Sequence, residues 1–283
     1  MDAMKRLLRI LLPILLLLSL VACRSAEREE VVRFHFLDVG QGDALLIRTP
    51  DGDILVDAAD EAAEALLCLR LEQLGVRSLR LAVFTHPDED HIGGADGVLS
   101  RFLTDEVWIS AAPMENEAAR LLLRAAEQSG AEIKTVCSTH LAQIGGATLA
   151  VLAPIGDVSD GGNESSIVLR VSYGDTVAIL TGDADSAAEA TLIERFGVTQ
   201  LACDLYKVGH HGSNTSSSIA FLRAMRPTYA VISCGAGNSY GHPTGEILAK
   251  LRAEGVTVCR TDLDGEIIFE TDGKSLMPVS EYK

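Results

Sequence analysis

Residues 85–94, Thr-His-Pro-Asp-Glu-Asp-His-Ile-Gly-Gly, constrain this chain more than any other stretch. His86, Asp88, Asp90 and His91 place four good metal ligands within six positions, directly after the apolar run 81–84, which reads as a buried strand. Imidazoles and carboxylates crowded in this way repel and desolvate one another in an ordinary loop, and bound divalent cations remove that cost. A solvated acidic turn is the plainer alternative, but histidines interleaved with aspartates at a strand end are rare by chance. The Gly-Gly pair then suits a loop that leads into a helix.

Residues 1–23 stand apart from any core. Lys5, Arg6 and Arg9 form a basic n-region, 11–18 is apolar apart from Pro13, and Leu20-Val21-Ala22-Cys23 follows. This is the pattern of a secretory signal ending in a lipobox, with Cys23 as the lipidated residue and mature N-terminus. An uncleaved anchor helix is the alternative, for which the apolar run is short. Two acyl chains on Cys23 suffice for stable anchoring. The expected organisation is therefore a signal peptide over 1–23, a charged tether over 24–30 and one domain over 31–283. The expected location is extracytoplasmic, lipid-anchored to the cell membrane.

Charge limits the partners. Removing residues 1–22 takes away three basic residues and one acidic one, leaving 21 Lys+Arg against 39 Asp+Glu, a formal charge of −18. That surface is awkward for non-specific nucleic-acid binding, which draws most of its affinity from basic grooves. Two divalent metals would offset part of it, and Lys207, Arg223 and Arg226 are candidates for a small basic rim. Beyond Cys23, five cysteines at irregular spacing (Cys68, Cys137, Cys203, Cys234, Cys259) match neither a disulfide framework nor a zinc knuckle. Most read as buried small hydrophobes.

From residue 31 onward, strand and helix patterns alternate without a linker. Strands are predicted over 31–37, 44–48, 54–57, 81–85, 107–110, 131–136, 167–173, 176–181, 205–208, 229–233, 256–259 and 265–270. Helices are predicted over 61–74, 115–128, 185–196, 217–225 and 245–253. Hairpins interleaved with βα units favour an α/β domain of sheets faced by helices.

Four further loops place polar residues at strand ends: Asp38-Val39-Gly40-Gln41-Gly42-Asp43, Thr181-Gly182-Asp183, Val208-Gly209-His210-His211-Gly212-Ser213 and Ser239-Tyr240-Gly241-His242-Pro243. The two glycines of the first permit a tight loop that aims its carboxylates inward. Five of the seven histidines fall in such loops, whereas His35 and His140 read as satisfied core residues. His86, Asp88 and a later histidine can hold one metal; Asp90, His91 and another group can hold a second, with Asp183 bridging. Two such cations activate water and stabilise both attacking and leaving oxygens. The carboxylate-rich set suits Zn²⁺ or Mn²⁺.

These five motifs, in this order over 31–270, resemble the metallo-β-lactamase superfamily, and within it the extracytoplasmic hydrolase domain of ComEC-type DNA-uptake (competence) proteins. The resemblance implies a four-layer αββα sandwich with a dimetal site at one edge, and an enzyme that hydrolyses phosphodiesters, with DNA as the expected substrate. By position it implies His86, Asp88, Asp90, His91, Asp183 and His210 as metal ligands. Asp57 matches a supporting aspartate, and Asp90 and His242 are the expected catalytic residues, His242 as general acid or phosphate contact. Asp38, Gln41, Asp43, Asn163, Ser165, His211 and Ser213 are assigned to substrate contact or ligand support.

The chain departs from ordinary β-lactamases of the superfamily, which have a histidine where Asp88 stands and another ligand histidine between the second and fourth motifs. Here that region reads Gly162-Asn163-Glu164-Ser165-Ser166. The first metal is thereby one protein ligand short, to be filled by water, Asn163 or His211. The two adjacent histidines are not separable from sequence, His210 being preferred. The leading expectation is a lipid-anchored dimetal phosphodiesterase or nuclease acting on DNA or nucleotides, with a separate uptake channel as possible partner. The alternatives are a small-molecule hydrolase (phosphoester, lactone or β-lactam) and a non-catalytic DNA-binding lipoprotein.

Overall fold

Most apolar runs of this chain are buried on both faces, and this decides the layering. The computed structural model describes residues 30–156, 158 and 162–279. The signal peptide, Cys23 and the tether up to residue 29 lie outside the described residues. All elements below belong to one compact unit, residues 31–283.

In chain order the first strands are β1 (Val32–Phe36), β2 (Leu45–Thr49), β3 (Gly52–Val56), β4 (Ser78–Phe84), β5 (Leu103–Ser110) and β6 (Glu132–Val136). Next come β7 (Leu141–Ile144), β8 (Ala147–Ala153), β9 (Val168–Tyr173), β10 (Thr176–Leu180) and β11 (Leu205–Lys207). The last are β12 (Tyr229–Ile232), β13 (Thr257–Arg260), β14 (Ile267–Thr271) and β15 (Leu276–Pro278). The helices are α1 (Glu64–Gln73), α2 (Glu89–Ile92), α3 (Ala95–Arg101), α4 (Glu117–Ser129), α5 (Ser186–Leu201), α6 (Ile219–Met225), α7 (Gly245–Ala253) and α8 (Thr261–Asp264).

One sheet runs β15-β14-β1-β2-β3-β4-β5-β6 and the other β13-β12-β11-β10-β9-β8-β7. Each is antiparallel in one half and parallel in the other: β3 to β6 are parallel in the first, β10 to β13 in the second. Alternation along single strands builds three cores. In β4, Leu81 and Val83 face the central layer between the sheets, beside Phe34, Trp108, Leu169 and Leu180. Ala82 and Phe84 face outward onto Leu67, Leu71, Val98 and Leu122 of α1, α3 and α4. On the second sheet Ile179, Tyr206 and Ala230 face Leu192, Phe221, Ile247 and Leu251 of α5, α6 and α7. Strands covered on both faces read as continuous apolar runs, and crossover helices have nowhere else to pack. The layers are helix, sheet, sheet, helix, as expected from the sequence.

The β7–β8 hairpin and β15 were absent from the sequence reading, and so were α2 and α8, whereas α3 is the helix expected after Gly93-Gly94. The predicted helix over 185–196 stops where Gly197, at φ 62°, breaks α5. His35 is buried, with Nδ1 2.9 Å from Glu266 Oε1. His140 is not a core residue: it is half-buried, edge-on to Trp108 at 5.8 Å. The five described cysteines are free; Cys68, Cys203 and Cys234 are buried, Cys259 is half-buried and Cys137 is exposed. Among the described residues no helix is long and apolar enough to cross a membrane.

Four of the loops singled out from sequence leave the carboxyl ends of parallel strands β4, β10, β11 and β12, Asp57 directly follows β3, and the 38–43 loop joins β1 to β2. This is the edge of an α/β sheet where ligands ordinarily bind.

Candidate metal centre

The loop after β4 is held from two sides. His91 and Ile92 donate their N–H groups back to Asp88 O at 3.0 and 3.1 Å, which opens α2, and Ala58 N–H donates to His91 O at 2.7 Å. The 38–43 loop lies against it, with Asp43 N–H donating to Asp90 O at 3.0 Å. Gly42 has φ +129°, and a Cβ there would sit 2.5 Å from Asp90 O, so only glycine lets the two loops meet. A Cβ on Gly94 would likewise meet Ala58 O at 2.5 Å.

His86, His91, His211 and Asp183 converge. His91 Nε2 lies 3.2 Å from Asp183 Oδ1, while His86 Nε2 and His211 Nε2 lie 3.9 and 3.8 Å from Asp183 Oδ2. His211 Nε2 is also 3.1 Å from Asp90 Oδ2, and His86 Nε2 is 3.6 Å from Asp88 Oδ2. All four converging side chains are buried. Yet His86 Nε2, His91 Nε2, His211 Nε2 and Asp183 Oδ1 have no hydrogen-bond partner. The short N···O separations are those of groups aimed at a common point, not of aligned hydrogen bonds. A buried polar atom left unpaired costs about 1–3 kcal/mol, so four facing one another need a charge between them. Imidazole nitrogens with carboxylate oxygens are the donors divalent zinc and manganese take. The residues fit such ions.

The far side of each imidazole is fixed. His91 Nδ1 donates to Asp57 Oδ2 (2.8 Å), and His211 Nδ1 donates to Ser233 O (3.0 Å) with Asp43 Oδ1 at 3.3 Å. His86 Nδ1 lies 3.0 Å from Thr85 Oγ1, which itself donates to Asp57 Oδ2 at 2.8 Å. These contacts direct Nε2 of each ring toward the centre, the arrangement by which a second partner orients a ligating histidine. Asp57 achieves it from a left-handed backbone (φ 60°) at the end of β3, and His210 and His211 are left-handed too (φ 50° and 52°). Such conformations cost roughly 1–3 kcal/mol per residue and persist where the surroundings over-determine them.

Without metal the cluster holds its charge in protons. Burial works against protonation of His91, but Asp183 and Asp57 outweigh it and raise that imidazole well above its ordinary range. Burial opposes the same change in His211, which Asp43 and Asp183 carry to about 9. Asp183, although burial pushes it upward, is driven well below the carboxylate range by His91 and His211.

Lys207 belongs beneath this cluster, not on a basic rim as the sequence suggested. It is buried, forms an ion pair with Asp43 Oδ2 and donates to Val208 O at 3.0 Å. Asp43 is held well below the carboxylate range: burial raises it, and the Lys207 ammonium, then His211, prevail. Asp43, Asp57 and His91 also lie close enough together to hold an ion, but Lys207 already neutralises that corner. A lysine two positions before Gly209 was the available signal. Thr85 and the Ser233 carbonyl were likewise missed.

The remaining sequence-expected residues divide. Both adjacent histidines face Asp183: His211 is buried, with Nε2 also 3.1 Å from Asp90 Oδ2, whereas His210 is half-buried, with Nε2 3.6 Å from Asp183 Oδ2. Asn163 Nδ2 and Thr215 Oγ1 each lie 3.0 Å from His210 Nδ1, and Ser213 Oγ accepts from Thr215. Ser165 does not take the expected supporting place: its hydroxyl donates to Gly162 O, and Ser166 Oγ accepts the Asp183 N–H instead. Gln41 Oε1 accepts Gly235 N–H at 3.1 Å, tying the 38–43 loop to the end of β12. Asp38 is exposed, its Oδ1 accepting Gly40 N–H, so only Asp43 of that loop's two carboxylates points inward. Asp88 and Asp90 retain exposed edges, and His242 stands beside His210 with ring centroids 5.7 Å apart.

Comparison with known proteins agrees with this geometry. The chain is 34% identical over 258 residues to competence protein ComA of Neisseria gonorrhoeae, covering 90% of this chain and 35% of that protein. It is 30% identical over 274 residues to ComE operon protein 3 of Bacillus subtilis, covering 90% and 34%. The chain thus spans about a third of the length of these relatives. Among solved structures it is similar to the metallo-β-lactamase fold protein YhfI of Bacillus subtilis, with TM-score 0.53, 11% identity, and coverage of 86% and 100%. That likeness carries the fold expected from the motifs. A family model for the metallo-β-lactamase superfamily matches residues 37–236, and the chain belongs to that superfamily.

Proposed function

We propose that this metal-dependent hydrolase, related to competence proteins, cleaves phosphodiesters of DNA or nucleotides at a two-metal centre. The observation that carries the reading is the meeting of His86, His91 and His211 Nε2 with Asp183, flanked by the half-open carboxylates of Asp88 and Asp90. In our reading His86, Asp88 and His210 would hold one ion and Asp90, His91 and His211 the other, with Asp183 contributing to both. His210 then supplies the ligand that the 162–166 segment lacks. Two divalent ions, Zn²⁺ or Mn²⁺, would supply charge for the phosphoryl oxygens and an activated water.

The chain's own residues do the rest. Asp90, partly exposed beside His211, orients the attacking water and takes up its proton. His242 lies at the mouth and is held below its ordinary pKa by burial and by neighbouring His210. It therefore stands neutral near pH 7 and offers an N–H to the leaving or a non-bridging oxygen. The competence relatives support DNA as the substrate. We further propose, from the sequence of residues 1–23, that the domain works outside the cytoplasmic membrane on a Cys23 lipid anchor, with a separate channel protein as partner.

The test offers linear DNA, a dinucleotide and a β-lactam to the metal-loaded chain in parallel. Cleavage of DNA and dinucleotide with the lactam untouched is expected. Turnover of the lactam alone would overturn the phosphodiester reading.

A further inference from the structure

Tyr240 is two-thirds exposed (67%) at the mouth of the metal centre, an unusual place for a large aromatic ring. It is not loose. Its ring stacks on His242, with centroids 5.9 Å apart and planes 23° from parallel, and His242 in turn stands edge-on to His210. The side chain of Asn238 organises the loop that carries them. Asn238 Oδ1 accepts Tyr240 N–H (3.2 Å) and His242 N–H (3.1 Å), and Nδ2 donates to Gly235 O (2.9 Å) and His242 O (2.5 Å).

The loop is also clamped to the histidine turn. Thr244 N–H donates to Gly212 O at 3.0 Å, and a Cβ on Gly212 would lie 2.6 Å from Pro243 Cβ. An aromatic series therefore runs outward from the centre, from His210 through His242 to Tyr240, and ends in a ring with exposed surface.

We propose that Tyr240 is the stacking platform for the nucleobase next to the scissile phosphate, so that the substrate is a base-bearing nucleotide diester. This rests on the phosphodiesterase reading above. Two physical arguments carry it. The formal charge of −16 denies the protein the electrostatic affinity that phosphate binders usually exploit, whereas stacking on an aromatic face needs no net charge and accepts every base. A ring already held in place loses little entropy when a base settles on it, which is what makes rigid aromatics effective anchors. Tyr240 is a specificity residue in this account, one sugar removed from the phosphate.

The experiment uses the full chain loaded with Mn²⁺ and a dinucleotide with an uncleavable methylphosphonate link, carrying 2-aminopurine, whose fluorescence falls on stacking. Wild type and Tyr240→Phe should quench it on binding and Tyr240→Ala should not. In parallel, the ratio of kcat/KM for a dinucleotide to that for its abasic analogue should fall roughly tenfold in Tyr240→Ala and hold in Tyr240→Phe. Quenching that survives in Tyr240→Ala, or binding of the probe to wild type without quenching, overturns the proposal. Equal cleavage of base-bearing and abasic substrates by wild type defeats the stacking role while leaving the phosphodiesterase standing. Cleavage of neither defeats that underlying reading, and the binding arm still decides whether Tyr240 stacks a base.

Discussion

His91 Nδ1 donates to Asp57 Oδ2 across 2.8 Å, and this one bond joins the end of β3 to the loop after β4. Asp57 also accepts the Thr85 N–H and hydroxyl, both at 2.8 Å, so three hydrogen bonds fix its carboxylate. It sets the direction of His91 from behind.

Asp57→Asn preserves shape but presents an amide N–H to His91 Nδ1. The imidazole must then carry its proton on Nε2, the atom that faces Asp183. Metal affinity should fall about 10–100-fold, as for other partners of ligating histidines. A chelator-competition titration measures it; an unchanged affinity would mean the proton on His91 is not set by Asp57.

Lys207 and Asp43 form a buried ion pair, so removing one partner strands the other. Lys207→Met should destabilise the fold by about 3–5 kcal/mol, and the double variant Lys207→Met/Asp43→Asn should recover much of that loss. Urea unfolding midpoints check both. A loss equal in the single and double variants would indicate that packing of the lysine stem, rather than charge, is what matters there.

Glu266 joins His35 on β1 to Arg70 on α1, at 2.9 and 2.6 Å. Burial raises its pKa, but the bonds from His35 and Arg70 outweigh this and hold it below its ordinary 4.5. A depressed folded-state pKa means stabilisation that is present above about pH 4.5 and lost as pH falls through the folded value. Glu266→Gln should therefore be less stable than wild type at pH 7, with the gap closing below pH 4. Unfolding midpoints across that range give the answer.

Metal loading should stabilise the native chain, because the cluster forms only on folding. At a free concentration of a hundred times Kd the gain is about 2.7 kcal/mol. Chelator should lower Tm accordingly, and Asp183→Ala should abolish the shift with either Mn²⁺ or Zn²⁺. Thermal scans with and without metal suffice.

Much of the architecture was legible because two-sided burial writes itself as apolar runs punctuated by glycine. The helix over 245–253 was read to the residue, capped by Thr244. The β7–β8 hairpin escaped because β7 is a short, half-exposed strand, Leu-Ala-Gln-Ile, with little apolar contrast; the Gly145-Gly146 turn was its one clear sign. At the site, residue types and strand-end positions were readable, but directions were not. How deeply His210 and His211 each turn inward depends on two consecutive left-handed residues, a conformation that no composition announces. Lys207 looked like surface charge because its partner, Asp43, is far away in sequence.

The most direct test of the two-metal account is hydrolysis of linear DNA by the metal-stripped full chain, titrated with Mn²⁺. Activity should be absent without metal, rise until two equivalents are bound and then level off, with Asp183→Ala inactive throughout. Cleavage that persists in excess chelator, or in Asp183→Ala, would contradict it.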